Sequence, residues 1–233
     1  MTVPTHHPGD TLLIDYAGGA LGEAVSLVIA THLALCPCCR LNVAEMEAIG
    51  GALLEEIEPE EVDPSCLDAV LARLDEIPPL PRAPRVHKPK PVCPGQRTET
   101  PLLPEPLRRY VGDDLDRLPW TSLMRGMDCV EIPLFGQHSD PTTGRGRARL
   151  MRMKGGVGPP RHTHRGIELT LVLDGGFSDD LGQFVRGDLA VGDESVHHRP
   201  VADEEGCLCL AVTVGHLHFT GALGLILNPF VKF

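Results

Sequence analysis

The chain runs to 233 residues, 42% of them hydrophobic, with a formal net charge of −11. That apolar share is enough for real cores and excludes global disorder, and the length suits two domains of about 100 residues each. No run approaches the ~18 uncharged apolar residues of a membrane span, and no basic stretch leading into an apolar one stands near Met1, so the expected location is the cytoplasm, with no membrane partner.

Charge is unevenly spread. Residues 1–76 hold two Lys/Arg against fourteen Asp/Glu, residues 77–108 hold six against two, and the remainder holds thirteen against sixteen. The acidic first third would repel phosphates, so direct nucleic-acid binding is not expected. It would attract a basic protein, although a solvated acidic helix surface carries the same charge. In a reducing compartment the eight cysteines read as thiols or metal ligands before disulfides.

In chain order, the first part reads as helical. "DTLLIDYAGG" starts at a capping-type Asp10 and stops at Gly18-Gly19. "GEAVSLVIATHLALC" is a longer apolar helix, and Pro37 opens the next, "PCCRLNVAEMEAIGGALLEEI", because proline fits a first helical turn. "DPSCLDAVLARLDEI" is amphipathic, with Asp63 as N-cap, Pro64 at the first position, and Leu67, Val70, Leu71 and Leu74 at spacings of three and four. Four short helices make a small core, which usually needs a staple.

His32, Cys36 and Cys39 form H-x3-C-x2-C across a helix–turn–helix junction. With one more ligand they suit tetrahedral Zn2+, and His6 or His7 could supply it, tying the first helix to the next two. A thioredoxin-type dithiol would need a βα unit, which this segment lacks; buried core cysteines are the other alternative. The pattern, in a short acidic four-helix segment, resembles the zinc-binding anti-sigma domain over residues 1–76. That resemblance places the ligands at His7, His32, Cys36 and Cys39. Cys38 departs from the common pattern.

Residues 78–106 carry ten prolines and no apolar periodicity, which predicts an extended connector. After it the period changes. "GRARLMRMKGG", "IELTLVLDGGFSDD", "GQFVRGDLAVGD", "CLCLAVTVG" and "HLHFTG" are short β-rich runs punctuated by Gly and Asp, the pattern of an antiparallel sandwich or barrel. The alternating Arg145, Arg147 and Arg149 read as a solvent face.

"GVGPPRHTHRGIELTLVLDGG" places His162 and His164 two apart, hence on one strand face. Glu168 follows a turn-like Arg165-Gly166 and rejoins them from the next strand. This resembles the first cupin motif throughout. The second motif is partly kept: Gly187 stands eleven residues before His198, a spacing that favours His198 over His197 as fourth ligand. Three imidazoles and a carboxylate suit Zn2+, Fe2+, Mn2+ or Ni2+. Cys207 and Cys209 share a strand face and read as core thiols, with a redox pair beside the metal as the sharper alternative. Cys66, Cys93 and Cys129 default to core or surface positions.

The expected fold is therefore multidomain α + β: a zinc-stapled four-helix domain (1–77), a proline-rich linker (78–107) and an antiparallel β-barrel of cupin type (108–233). The order resembles the ChrR-type cupin anti-sigma factors over nearly the full length. This implies a negative regulator, not an enzyme. Its N-terminal domain would sequester an extracytoplasmic-function (ECF-type) sigma factor, and its cupin would release that factor in response to singlet oxygen or related oxidants. The implied cofactors are Zn2+ in the helical domain and a second divalent metal, zinc first among the candidates, in the cupin. The alternative is a cupin dioxygenase or isomerase with a helical appendage, since function belongs to the site and not to the fold.

Overall fold

The run "CLCLAVTVG" shows no polar alternation because its strand is covered on both faces. In the computed structural model, which describes residues 3–74, 102–135 and 146–219 with side chains up to Gly215, this run lies in a strand spanning Val201–Phe219. Leu208, Leu210, Val212 and Val214 pack into a core shared with the N-terminal helices. Cys207 and Cys209 face the other way, into a second cluster with Met127, Met153, Val172, Phe177 and Phe184.

Among the described residues seven antiparallel strands form one sheet: β1 (Thr121–Met124), β2 (Met127–Glu131), β3 (Arg147–Met153), β4 (His162–Asp179), β5 (Gly182–Val185), β6 (Leu189–Gly192) and β7 (Val201–Phe219). Their order is β1-β2-β3-β7-β4-β5, with β6 also paired to β4. β4 is a single strand through Arg165-Gly166, where the sequence suggested a turn. Gly166 sits opposite Gly215 in the β4–β7 register, both at positive φ, 127° and 99°. A Cβ on Gly166 would stand 2.1 Å from the Val214 carbonyl oxygen, so the two glycines let the paired strands bend together without breaking.

The helices are α1 (Asp10–Ala17), α2 (Glu23–Leu35), α3 (Pro37–Glu55), α4 (Ser65–Leu74) and α5 (Glu105–Val111). α1 is capped by the backbone of Gly9 rather than by Asp10, which is its first residue, and Gly19 at φ 68° ends it. Pro37 opens α3. The proline-rich pattern concealed α5: Pro104 is its N-cap and Pro106 lies in its first turn, where a missing N–H costs nothing. Leu107 of α5 is fully buried, a contribution of about 1.5–3 kcal/mol, and the Tyr110 hydroxyl donates to Glu23 Oε1 of α2 at 3.0 Å.

Residues 1–50 and 102–233 cluster as one compact unit and residues 51–101 as a second. In the first, α2 lies on β4 and β7 and buries Ala24, Val25, Leu27, Val28, Ile29, Thr31, His32 and Leu33. In the second, Asp63 caps α4, its Oδ1 accepting from the Ser65 N–H at 2.8 Å. The apolar stripe of α4 is solvent-exposed rather than the core side that its period suggested: Leu67, Val70, Leu71 and Leu74 are 65%, 59%, 51% and 53% exposed. The expected connector at 78–101 lies outside the described residues. Among the described residues no single helix is long and apolar enough to cross a membrane.

Candidate metal centres

His7, His32, Cys36 and Cys39 bring one donor atom each within 4.8 Å of one another. α2 carries His32 on its buried face, Cys36 is the α2 C-cap, and Cys39 sits in the first turn of α3. His7 Nδ1 lies 3.5 Å from Cys36 Sγ and 3.3 Å from Cys39 Sγ, and His32 Nε2 lies 3.3 Å from Cys39 Sγ. A tetrahedron with bonds of ~2.0 Å to nitrogen and ~2.3 Å to sulfur has mixed edges of about 3.5 Å. These three mixed distances fit it. Of the three clustered cysteines, Cys38 is exposed and is not among the four donors. Of the two adjacent histidines, His7 joins the cluster and His6 does not.

The protonation states agree with that fit. His32 Nδ1 lies 2.9 Å from the Gly187 carbonyl; a carbonyl only accepts, so Nδ1 holds the proton and Nε2 keeps its lone pair for a metal. Burial drops the His32 pKa to about 4, leaving a neutral ligand. Burial and the neighbouring Cys36 thiol push Cys39 up to about 12, so its thiolate needs a cation beside it.

The second cluster lies on the sheet. His162, His164 and Glu168 sit at even spacing on β4 and therefore face one side, and His198 pairs with His162 through an isolated bridge. The His198 Nε2 atom is 3.1 Å from His164 Nε2 and 3.2 Å from His162 Nε2. Glu168 Oε2 stands 3.8, 3.7 and 3.8 Å from the Nε2 atoms of His162, His164 and His198. Bonds of ~2.1 Å predict tetrahedral edges of about 3.4 Å, a value that these distances bracket. His162 Nδ1 donates to the Pro160 carbonyl and His198 Nδ1 to Asp179 Oδ2, each at 2.8 Å. Both leave Nε2 free to coordinate. His164 Nδ1 is buried without a hydrogen-bond partner among the described residues.

Burial opposes charge on His162, His164 and Glu168. It lowers His164 to about 4. It also pulls His162 down, but the Glu168 carboxylate outweighs it and the net shift is upward. Burial would raise Glu168; the imidazoles, His162 first, hold it below its usual value instead. The centre opens on a cavity of about 330 Å3 whose lining includes Met124, Met127, Met151, Met153, Phe177 and Cys209. Hydrogen bonding to Cys207 and burial push the Cys209 thiol well above its usual range, so it is protonated and inert as a nucleophile. Arg149, read from sequence as solvent-facing, is largely buried in this wall, its Nε 2.9 Å from Glu131 Oε2; Arg147 is exposed, and Arg145 lies outside the described residues.

Two residues with functional contacts escaped the sequence reading. Asp179 orients His198. Asp188 is fully buried and holds the segment that delivers His7. Both stand in Gly/Asp-rich stretches that read as turns.

Comparison with known proteins identifies this arrangement. Residues 110–218 match the ChrR cupin-like domain. The chain is 39% identical to the anti-sigma-E factor ChrR of Cereibacter sphaeroides, over 97% of this chain and 98% of that protein. This chain belongs to the ChrR family of anti-sigma factors. Such proteins are regulators rather than enzymes. The crystal structure of Rhodobacter sphaeroides SigE in complex with the anti-sigma ChrR aligns with a TM-score of 0.72 at 37% identity, covering 91% of this chain and 99% of that one. ChrR is thus matched across helices and cupin together.

Proposed function

We propose that this protein is a cytoplasmic anti-sigma factor. Residues 1–77 hold an ECF-type sigma factor away from RNA polymerase, and the cupin at 108–233 sets when it is released, in response to singlet oxygen or a related oxidant. The observation that carries this reading is the near-full-length likeness to a ChrR crystallised with SigE. The exposed stripe of α4 supports it, since four apolar side chains at helical spacing are left for a partner to cover. The acidic first third favours encounter with a basic partner face.

We assign the N-terminal centre, His7, His32, Cys36 and Cys39, to structural Zn2+. Four protein donors leave no position open for a substrate. The cupin centre, His162, His164, Glu168 and His198, would hold a second divalent ion, with zinc first among the candidates. Its contact with a cavity lined by thioethers suits it to meeting a small oxidant.

The test is co-expression with a sigma factor encoded beside this gene, then pull-down with metal analysis and sigma-dependent transcription. Co-purification of the pair, with transcription repressed until photosensitised oxidant is supplied, is the expected result. Absence of a complex would remove the anti-sigma reading. A complex that ignores oxidant would remove only the sensing role.

A further inference from the structure

The N-terminal centre takes its outer hydrogen-bond partners from the cupin. Asp188 stands in the turn between β5 and β6, wholly buried. Its Oδ1 accepts from the backbone N–H groups of Thr5 at 2.6 Å and His6 at 3.0 Å. Its Oδ2 accepts from the Val185 N–H at 2.9 Å and lies 3.3 Å from His6 Nδ1. The Leu189 N–H donates to the His6 carbonyl at 3.1 Å. The next residue in the chain is the ligand His7. At the residue just before Asp188, the Gly187 carbonyl accepts from His32 Nδ1 at 2.9 Å.

Gly187 has reason to be glycine. Its φ is +93°, and a Cβ there would stand 2.7 Å from Pro4 Cγ and 3.6 Å from Leu35 Cβ. The turn is packed directly against the chain entering the centre and against the end of α2. From it β6 runs four residues to Gly192, where a Cβ would come 2.9 Å from His164 Nε2. The strand thus begins at one centre and ends at a ligand of the other.

We propose that the cupin turn Gly187–Asp188 completes the N-terminal metal centre, with Asp188 a positioning residue for His7 and the Gly187 carbonyl fixing the tautomer of His32. The inference rests on the reading that this cluster holds a divalent metal. Outer partners of metal-bound histidines typically govern affinity by about 10- to 100-fold. Asp188 acts through backbone amides one residue from the ligand, so its loss loosens His7 while leaving all four donors in the chain.

The experiment uses the full chain and Co2+. Of the two candidate centres only the N-terminal one has sulfur donors, so its thiolate-to-cobalt absorption reports that centre, while total bound metal reports both. Asp188→Asn should lower the Co2+ affinity read from the thiolate band by about 10- to 100-fold. Its visible ligand-field bands should move toward those of His7→Ala, a signature that general destabilisation would not produce. Cupin occupancy should stay unchanged. His6→Ala, which removes only the ring beside Asp188, should give a smaller loss in the same direction. A wild-type chain with no thiolate band removes the metal reading and this proposal with it. A wild-type band with unaltered affinity in both variants overturns the proposal alone. Should Asp188→Asn lose both metals together, as a misfolded chain would, His6→Ala decides, and an unchanged thiolate band in that variant overturns the proposal.

Discussion

The two candidate centres are built from opposite materials. The N-terminal one joins two thiols and two imidazoles at a break between helices, and three of its four ligands are buried. The cupin one joins three imidazoles and a carboxylate on strands and opens on a cavity of about 330 Å3. Thiolates bind a soft divalent ion tightly and close the site. Nitrogen and oxygen donors beside a cavity leave room for a small molecule to approach. On the proposed function, the difference would separate a staple, whose loss dissolves structure, from a reactive centre, whose loss removes a response.

The largest expected effect tests the staple. Cys36→Ser or His32→Ala should abolish metal binding at the N-terminal centre and release the sigma factor without any signal. A structural zinc contributes on the order of 10 kcal/mol of binding energy that is also folding energy. Metal content and sigma-dependent transcription check this, and a metal-free variant that represses normally would contradict it.

The reactive centre should fail in the complementary way. His164→Ala or Glu168→Ala should strip the cupin metal, preserve repression and sigma binding, and leave transcription unresponsive to photosensitised oxidant. A signal can loosen a complex only by changing the free energy of the bound state relative to the free one. Normal induction in a chain lacking cupin metal would place the sensor elsewhere.

The closely spaced members of both clusters were legible because short spacings carry them, while His7 came with the family resemblance and His198 with the partly kept second cupin motif. H-x3-C-x2-C lies within eight residues, and His162, His164 and Glu168 share the even parity that puts side chains on one face of a strand. The same stretch also misled. Arg165-Gly166 reads as a turn, whereas Gly166 faces Gly215 across the sheet and supplies close backbone approach, which depends on a residue far along the chain. Pro104 and Pro106 read as connector because proline breaks helix interiors, yet both occupy the start of α5. Asp188 was invisible for a third reason. Its contact with Thr5 spans 183 residues, and no local pattern registers such a pairing.

Acid should separate the two centres from their metals and expose a shared weakness. In the metal-free chain His32 and His164 have pKa values near 4, against an ordinary 6.5, because burial disfavours their charged forms. Below pH 6.5 the unfolded chain binds protons that the folded chain refuses, so stability is full above that pH and falls as pH drops toward 4. Two such groups give a slope of at most about 2.7 kcal/mol per pH unit. His162 is shifted the other way and offsets part of this, its own contribution being present at low pH and lost as pH rises through its raised value. Denaturant midpoints of chelator-treated protein should therefore fall between pH 6.5 and 4.5. A flat or rising midpoint would contradict the neutral state assigned to these rings.

The smallest effect on the chain itself is expected at α4, where neither centre has ligands. Leu67 and Leu71 are more than half exposed and lie four residues apart on one helix face. Removing surface groups without buried partners usually changes stability by no more than about 0.5 kcal/mol. The double substitution Leu67→Ser, Leu71→Ser should accordingly leave the thermal midpoint and metal content of the free protein nearly unchanged. If this stripe is where the sigma factor docks, the same substitutions should weaken that complex by about 10-fold or more, because truncating a side chain buried at an interface centre commonly costs over 1 kcal/mol. Affinity for the sigma factor and melting of the free chain are measured side by side. Weaker binding at unchanged melting assigns the stripe to the partner. A large loss of melting temperature would show instead that α4 packs on its own chain in solution, and unchanged affinity would move the docking surface off this helix.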